Sequence, residues 1–218
     1  MWTIETATLE RPMPGKGDDR VFADMGSGVF AVFDGAANDH ASSMALKILD
    51  QVVHDDQSFD VALAMNSIQR AVHRTYSGLF LTTASLVRVA LKESGAEVSF
   101  AAAGDSPVFR YDHASGNLTQ ETVDESERLS THIDARNFIG SEAHVLKQVG
   151  RLSVATETTL LIVSDGITDE FYEGHATHES IAEVLRQNES LSDATAALMA
   201  SVSVFDDASI VAVRMRPE

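Results

Sequence analysis

Two stretches of this sequence end in the same way: FAVFDGA, at Phe30–Ala36, and LLIVSDGIT, at Leu160–Thr168. Each is a run of apolar, strand-forming residues that stops at an Asp-Gly pair. Asp-Gly is commonly a turn dipeptide, so one such pair alone would predict only a turn. Here each aspartate follows an unusually apolar strand, and a helical pattern begins soon after Asp34. Both stretches therefore predict a carboxylate at the rim of a buried core.

The periodicity around these stretches predicts strands in hairpins and helices in blocks. Strands are predicted at 2–9, 20–24, 28–33, 82–91, 97–104, 107–112, 118–122, 145–149, 158–164 and 209–215. Helices are predicted at 38–54, 177–188 and 191–204, and the first is capped by Asn38 or Asp39. A further helix is predicted to begin after an N-cap at Ser58. Its inner face is formed by Ala62, Met65, Ile68, Gln69 and Val72. Because the helices do not alternate with single strands, we expect an α+β fold, a four-layer α/β/β/α sandwich of two antiparallel sheets flanked by helix pairs.

The composition excludes several classes of protein. The 218 residues contain no cysteine, which excludes disulfides and thiolate metal sites. No apolar run approaches the ~18 residues of a membrane helix, and the N-terminus lacks the pattern of a signal peptide. We therefore expect no membrane partner, and the net charge of −17 argues against nucleic-acid partners. We therefore expect one soluble, cytoplasmic domain spanning residues 1–218.

Further aspartates stand at the ends of predicted strands: Asp18, Asp19, Asp105, Asp169, Asp206 and Asp207. Carboxylates that converge at one rim of a core repel each other, which raises their pKa values. Hard divalent cations such as Mg²⁺ and Mn²⁺, which take oxygen ligands, would neutralise them. A glycine after an aspartate lets the backbone come close, so that a carbonyl oxygen can serve as a further ligand.

Six motifs in order resemble those of the metal-dependent PP2C-type (PPM) serine/threonine protein phosphatases of bacteria: GDDR (17–20), VFDGA (32–36), TTA (82–84), GDS (104–106), SDGITD (164–169) and DDASIV (206–211). The family fold is the same α/β/β/α sandwich. The resemblance implies hydrolysis of phosphoserine or phosphothreonine in proteins by a water activated between two Mg²⁺ or Mn²⁺ ions.

The resemblance also implies roles for the residues of the first two motifs. Asp34 would bridge the two metal ions, and the side chain of Asp18 and the carbonyl oxygen of Gly35 would bind one of them. Asp19 would hold a metal-bound water. Asp34 and Asp19 are therefore the residues expected to carry catalysis.

The later motifs supply the remaining ligands that the resemblance implies. Asp165 and Asp206 would bind the second metal ion. Asp105 and Asp169, together with Asp165, match the positions that bind a third ion in many bacterial members. Two or three Mn²⁺ or Mg²⁺ ions are thus the expected cofactors.

The sequence departs from the family at the residues expected to handle substrate phosphate. Where members of the family carry a phosphate-gripping arginine, this chain has Pro14, and Lys16 is the candidate to replace it, with Arg11 and Arg20 as alternatives. A lysine is a point charge, so it cannot hold a phosphate through two parallel hydrogen bonds as an arginine does.

Two further departures concern the general acid and the flap. Eukaryotic members have a histidine where this chain has Ala36; His40 is a candidate donor, although an ordinary helix position explains it as well. The segment DESERLSTHIDARNFIG, residues 124–140, replaces the usual flap, and only residues 134–137 match a family element. A shortened flap predicts an open site suited to a folded phosphoprotein.

Alternative functions remain open at this stage. A catalytically weak or inactive regulatory module would keep the fold, but such relatives usually lose the metal-binding acids. A haloacid-dehalogenase-type phosphatase needs an Asp-x-Asp motif, which neither Asp34 nor Asp165 begins. For the phosphatase we expect a monomer whose substrate is a phosphorylated protein, either a Ser/Thr kinase, its target or a regulator of the anti-sigma-antagonist type.

Overall fold

The computed structural model describes residues 1–36, 38–55, 59–123, 128–129, 132–133, 137–141, 147–169, 173–203 and 205–218. Within these ranges the strands are β1 (Trp2–Arg11), β2 (Arg20–Asp24), β3 (Val29–Phe33), β4 (Gly35–Ala36), β5 (Leu81–Thr82), β6 (Ala84–Lys92), β7 (Gly95–Ala103), β8 (Val108–Asp112), β9 (Asn117–Gln120), β10 (Arg128–Leu129), β11 (His132–Ile133), β12 (Gln148–Val154), β13 (Thr158–Val163) and β14 (Ala208–Pro217). The helices are α1 (His40–Asp55), α2 (Val61–Tyr76), α3 (Asp165–Thr168), α4 (His178–Gln187) and α5 (Leu191–Ser201).

Two five-stranded antiparallel sheets form the centre of the fold. The first sheet has the strand order β1-β14-β13-β8-β9, and the second has the order β12-β7-β6-β3-β2. The pairing of β1 with β14 runs from Trp2 opposite Pro217 to Arg11 opposite Ala208, so it joins the two ends of the chain. Short strands β4 and β5 pair separately, next to the end of β3.

Three apolar clusters show that the layers are stacked as α/β/β/α. One cluster packs α1 and α2 on the second sheet, for example Leu49 and Ile68 against Phe33. Another packs α4 and α5 on the first sheet, and the third lies between the two sheets. The predicted four-layer sandwich is therefore confirmed.

Strand β3 and the last four residues of β13, Leu160–Val163, are apolar because both of their faces are covered. Phe33 of β3 faces the helices, whereas Phe30 and Val32 face the other sheet, where they meet Leu160 and Ile162 of β13. Alternate side chains of a strand point to opposite faces, so a strand buried on both sides needs no polar alternation. Such strands hold the residues that follow them, Asp34 and Asp165, rigidly.

Some predicted boundaries were wrong. Helix α2 begins at Val61, and its N-cap is Asp60, whose carboxylate accepts hydrogen bonds from the N–H groups of Ala62 and Leu63 at 2.9 and 3.0 Å. Ala62 is therefore half-buried in the first turn, and Val61 and Ala64 lie in the core instead. The predicted cap Ser58 lies outside the described residues.

The strand predicted at 145–149 instead begins at Gln148 and runs to Val154. Residues 145 and 146 lie outside the described ranges, as do residues 134–136 of the predicted flap element. The four-residue helix α3 was not predicted, because SDGITD is too short to show a helical period.

In the part of the chain described, no helix is both long and apolar enough to cross a membrane.

Candidate active site

The end of β3 places Asp34 at the rim between the two sheets. Its carbonyl oxygen accepts hydrogen bonds from the N–H of Thr83, at 2.8 Å, and from the hydroxyl of Thr82, at 2.7 Å. Its own N–H donates to the Thr83 hydroxyl at 3.3 Å, and that hydroxyl lies 2.5 Å from the Ser106 hydroxyl. Side chains of the TTA and GDS motifs therefore fix the backbone from which the Asp34 carboxyl projects.

Gly35 lies against the loop that carries Asp18. A Cβ atom at position 35 would stand 2.5 Å from the carbonyl oxygen of Asp18 and 2.8 Å from that of Asn38. Ser42, near the start of α1, donates a hydrogen bond to the same Asp18 carbonyl. Asp18 and Gly35, predicted to share one metal ion, are thus neighbours, and the close approach requires glycine.

The other sheet contributes Asp165, the first residue of α3, and Asp206, just before β14. The pairing of β13 with β14 continues into Ser164 and Ser209: the Ser164 N–H donates to the Ser209 carbonyl at 3.1 Å. A Cβ atom on Gly166 would lie only 1.9 Å from the carbonyl oxygen of Asp207, so α3 is pressed against this loop. Both predicted ligands therefore emerge at the same end of the first sheet.

The other two residues of the predicted third site, Asp105 and Asp169, both act on Asp165. Asp105, which follows β7, is 8% exposed, and its charge raises the pKa of Asp165. Asp169 ends α3, and its N–H donates to the Asp165 carbonyl at 2.7 Å. The charge of Asp169 also raises the pKa of Asp165, so both carboxylates act on this residue.

Asp19 is buried, and the nearest described hydroxyls do not complete hydrogen bonds to its carboxylate. The residue is 6% exposed, and neither carboxylate oxygen has a hydrogen-bond partner among the residues that the structure describes. Burial raises the pKa of Asp19 to about 6, although the nearby hydroxyls of Ser209 and Ser164 and the carboxyl of Asp34 oppose the shift. A buried carboxylate without a partner is costly, so this position calls for a bound cation or water.

Asp34 and Asp165 act as a coupled pair at the centre of the site. Burial raises the pKa of Asp34 well above its usual range, and the charges of Asp165, Asp19 and Asp105 raise it further. Burial and the charge of Asp105 raise the pKa of Asp165 to about 7, while a hydrogen bond from Asp34 opposes that rise. Without a cation, both carboxyls therefore hold their protons more tightly than an ordinary aspartate does.

Asp18 belongs to a neighbouring group of charges. Burial and the charge of Asp207 raise the pKa of Asp18, and the charges of Asp39 and Asp206 add to the effect. Lys16 acts in the opposite direction. The charge of Asp206 acts on both Asp18 and Asp165, so it connects the acids around Asp18 with those around Asp34 and Asp165. All seven predicted metal-binding positions therefore lie at one rim of the sandwich.

Asp207 stands with the other aspartates at a predicted strand end, but the sequence assigned it no role in the site. It is 4% exposed, and its carboxylate accepts hydrogen bonds from the backbone N–H groups of Met13, Gly17 and Asp18 at 2.6, 3.0 and 2.6 Å. Asp207 therefore holds the loop that presents Asp18. The doubled aspartate at 206–207 was visible in the sequence, but the partners lie about 190 residues away.

The candidate phosphate-binding residues differ in what they contact. Lys16 is 39% exposed at its side chain, and its ammonium nitrogen lies 2.6 Å from the Asp206 carboxylate. Although burial opposes it, the hydrogen bond and charge of Asp206 raise the pKa of Lys16. Arg11 donates to the carbonyl groups of Met199 and Val202 at the end of α5. This leaves Lys16 as the candidate that reaches the acidic site.

Arg20, the second alternative, supports the same loop from the other side. Its guanidinium donates to the carbonyl of Gly17 at 2.7 Å and forms an ion pair with Asp39 at 2.7 Å. Its Nε donates to the hydroxyl of Ser43 at 3.1 Å. With these contacts Arg20 positions residues 17–19 and the start of α1.

His40 lies at the first turn of α1, beside aromatic rings. Its ring contacts Phe80 edge-on, with centroids 4.7 Å apart, and stacks with Tyr76 at 6.2 Å. One ring nitrogen is 3.6 Å from the Asp39 carboxylate, and the side chain is 57% exposed. These contacts agree with an ordinary surface position on the helix, and Ala36 supplies no proton donor.

The residues present fit divalent cations, although no ready-made coordination sphere exists. Among the described residues, no three His, Cys, Asp or Glu side chains are already arranged to hold an ion. The gathered donors are all oxygens, as Mg²⁺ and Mn²⁺ prefer. The unpartnered carboxylate of Asp19 and the raised pKa values of Asp34 and Asp165 show negative charge that one lysine does not balance.

The raised pKa values predict that the metal-free protein loses stability as the pH rises. Asp19 and Asp165 titrate at about 6 and about 7 when folded, against ~3.9 for an unfolded aspartate. The folded state therefore holds protons that the unfolded state has released, and this stabilisation is lost as the pH rises through 6 to 7. Thermal unfolding in chelator-treated buffer should give a lower Tm at pH 8 than at pH 5.

A matched variant and added metal provide the controls for this prediction. Asp165→Asn should flatten the decline, and Mn²⁺ should raise the Tm mainly at high pH, since the ion competes with protons for the same oxygens. A Tm of the metal-free protein that rises steadily from pH 5 to pH 8 would contradict the raised pKa values.

Known proteins share this fold and, in part, this sequence. The sequence model of the family described as Stage II sporulation protein E (SpoIIE) matches residues 34–216. The catalytic domain of the serine/threonine protein phosphatase PstP, in complex with two manganese ions, superposes with a TM-score of 0.81 at 17% identity, covering 100% of both chains. A bacterial serine phosphatase superposes with a TM-score of 0.82 at 15% identity, covering 99% of both chains.

The PPM Ser-Thr phosphatase MsPP from Mycobacterium smegmatis, in complex with cacodylate, has a TM-score of 0.73 at 23% identity, with 97% of both chains covered. No curated protein matches the sequence at a significant level. The structural likeness confirms the fold that the six motifs predicted.

Proposed function

This chain belongs to the stage II sporulation protein E (SpoIIE) family, and we propose that it is a metal-dependent phosphatase that hydrolyses phosphoserine and phosphothreonine in proteins. The observation that carries the proposal is the coupled acidic group around Asp34 and Asp165, at the ends of two buried strands from opposite sheets. A purely structural role would not favour so many like charges at one rim, because each raises the cost of ionising the others.

Each acid has a proposed place in the site. Asp34 would help to hold both of two divalent ions; Asp18 and the carbonyl of Gly35 would hold one of them, and Asp165 and Asp206 the other. Ions bound there would lower the pKa of a water molecule and neutralise the phosphoryl oxygens of the substrate. Mn²⁺ or Mg²⁺ is the proposed cofactor, and a structural relative of this chain contains manganese.

The chain itself contributes positioning and charge. Thr82 and Thr83 hold the backbone of Asp34, and Asp207 holds the loop of Asp18. The carboxylates of Asp34 and Asp18 are therefore held in position before any ligand binds. Asp19, buried behind them, would accept a hydrogen bond from the attacking water. Asp105 and Asp169 would add ligands for a third ion beside Asp165.

The substrate class follows from the family and from the surroundings of the site. The structural relatives are protein phosphatases, so a phosphorylated protein, such as a Ser/Thr kinase or its target, is the proposed substrate. Ala36 and Pro14 remove two side chains that handle phosphate in other members, which favours a second candidate: a weakly active or inactive regulatory module that still binds metal.

Two measurements on the same protein separate these functions. Mn²⁺ binding by calorimetry tests the site, and hydrolysis of an aryl phosphate, with and without chelator, tests the chemistry. The phosphatase predicts both binding and chelator-sensitive turnover. Binding without turnover would favour the regulatory module, and turnover without any divalent metal would contradict both.

Lys16 provides a sharper test of how the site holds substrate. If its ammonium grips the substrate phosphate, Lys16→Ala should raise KM by about tenfold, about 1.4 kcal/mol, with kcat changed less. Mn²⁺ affinity should stay equal or increase, because the Asp206 carboxylate loses a competing cation. Steady-state kinetics and calorimetry measure both.

Lys47→Ala, at an exposed position on α1, is the matched control and should change neither quantity. A Lys16→Ala protein with an unchanged KM would show that Lys16 only neutralises Asp206.

A further inference from the structure

The helix-covered face of the second sheet continues beyond the start of α2 as an open groove. Val89 of β6, Val98 of β7 and Leu152 of β12 pack between the two sheets. Because side chains alternate along a strand, the sequence neighbours of these three residues face the helix side. These neighbours, Arg88, Ser99, Arg151 and Ser153, line a groove of about 480 Å³ at the end of the sheet farthest from Asp34.

The groove exists because α2 begins too late to cover this end of the sheet, and because its floor is made of small residues. Phe59 and Asp60, which precede α2, form one wall, and Arg88 of β6 donates a hydrogen bond to the Phe59 carbonyl. Ser99 and Ser153 on the floor fill little space. The surface is therefore concave and polar, and its walls are tied to the fold.

Positive charge collects around this groove. Arg88, Lys92 and Arg151 line it, against two acids: Glu97, 3.2 Å from Lys92, and Asp60, 3.8 Å from Arg151. Only 16 of the 218 residues are Lys or Arg, and the net charge is −17, so a basic surface here is a local exception. Exposed ion pairs of this kind contribute little, so both cations remain available to a ligand.

The basic surface extends to the start of β12 and onto α2. Lys147 donates a hydrogen bond to the neutral side chain of Asn66, and Arg70 lies exposed on the same helix. Burial and the charge of Arg70 lower the pKa of Lys147, so these two cations repel each other. An anion seated between the groove and α2 would relieve that repulsion.

Strand β12 adds a second recognition element. Within the described residues it pairs with β7 alone and forms the edge of its sheet. The Arg151 side chain is 80% exposed on this strand. The free edge of a strand offers backbone N–H and C=O groups to an extended peptide, which can add to the sheet as a further strand.

We propose that this groove, lined by Arg88, Lys92 and Arg151 and flanked by Lys147, binds an acidic, extended segment of a partner protein along β12. A short segment meets only the basic groove, whereas a long polyanion such as nucleic acid would also meet the acidic remainder of the surface. Arg88 and Lys92, which line the groove, stand five and nine residues from Thr83, which binds Asp34, so the groove lies roughly 17–30 Å from the acidic site. The segment and a substrate phosphate can therefore bind together.

The test uses the whole chain in metal-free buffer, so that its result is independent of phosphatase activity. The probe is a short fluorescein-labelled peptide of alternating Glu and Thr, and fluorescence anisotropy at low ionic strength measures its Kd. We expect Arg151→Glu to weaken binding by about tenfold, and added salt to weaken binding to the wild type. Lys47→Glu, with the same charge change at an exposed position on α1, should change the Kd less than about twofold.

Hydrogen exchange locates the bound peptide: the amides of residues 148–154 should exchange more slowly in its presence. An equal loss of binding in Lys47→Glu would show that net charge alone governs binding, and an unchanged Kd in Arg151→Glu would place the peptide elsewhere. No binding at low salt, or tighter binding of a single-stranded oligonucleotide or of anionic vesicles than of the peptide, would also overturn the proposal.

Discussion

Replacing Asp34 by Asn is expected to abolish Mn²⁺-dependent phosphatase turnover, with a loss on the order of 10³-fold or more. Asp34 is the proposed bridge between two ions, and a neutral amide cannot balance their charge; 10³-fold corresponds to about 4 kcal/mol of transition-state stabilisation. The same change should not harm folding. Because the pKa of Asp34 is raised well above its usual range, the metal-free variant should unfold at a higher temperature than the wild type at pH 8.

Asp24→Asn provides the matched control for this experiment. Asp24 ends β2 in the turn opposite the site, and hydrogen bonds within that turn lower its pKa. Its replacement should leave turnover unchanged, with no gain in Tm. An Asp34→Asn protein that is folded and retains wild-type turnover would remove Asp34 from the mechanism.

Replacing Asp207 by Asn should destabilise the protein by roughly 2–4 kcal/mol, the second large effect that we expect. The Asp207 carboxylate accepts three backbone hydrogen bonds, and those to a buried charged group are worth ~1.5–3 kcal/mol each. An amide keeps one acceptor oxygen and turns its NH₂ group toward an N–H donor. Urea denaturation measures the loss, and turnover should also fall because Asp18 is released.

Asp206→Asn, at the neighbouring position, is the matched control for Asp207→Asn. Asp206 is half-buried and pairs with Lys16, so Asp206→Asn should change the free energy of unfolding by less than ~1 kcal/mol while it removes Mn²⁺-dependent turnover. The two substitutions should thus have different effects: Asp207→Asn mainly lowers stability, and Asp206→Asn mainly lowers turnover. Equal effects of the two substitutions on stability would contradict the assigned contacts.

The layer architecture was predictable because each layer leaves its own period in the sequence. Strand β3 and the last four residues of β13 are apolar on both faces, and the hairpins have clear turns. The predicted helices match α1, α4 and α5 within a few residues. Local detail was less predictable. Asp60 and not Ser58 caps α2, because either polar residue can cap a helix and the choice depends on where the core begins.

The acidic residues were predictable as a set, because each follows or precedes an apolar strand and the motifs occur in family order. The hydrogen bonds that hold these acidic residues in place could not be predicted. Asp207 bonds to Met13, Gly17 and Asp18 across almost the whole chain, and the Thr82 hydroxyl reaches the Asp34 carbonyl across 48 positions. Such pairs leave no local pattern, since the distances that join them exist only once both sheets have formed.

The most direct test of the central claim is the release of inorganic phosphate from a phosphoserine-containing protein while Mn²⁺ is titrated into the chelator-treated chain. If the acidic rim is a metal-dependent phosphatase site, release is absent without divalent metal, rises to saturation with Mn²⁺ and disappears again when chelator is returned. Phosphate release that continues undiminished in excess chelator, or none at any Mn²⁺ or Mg²⁺ concentration, would contradict the account.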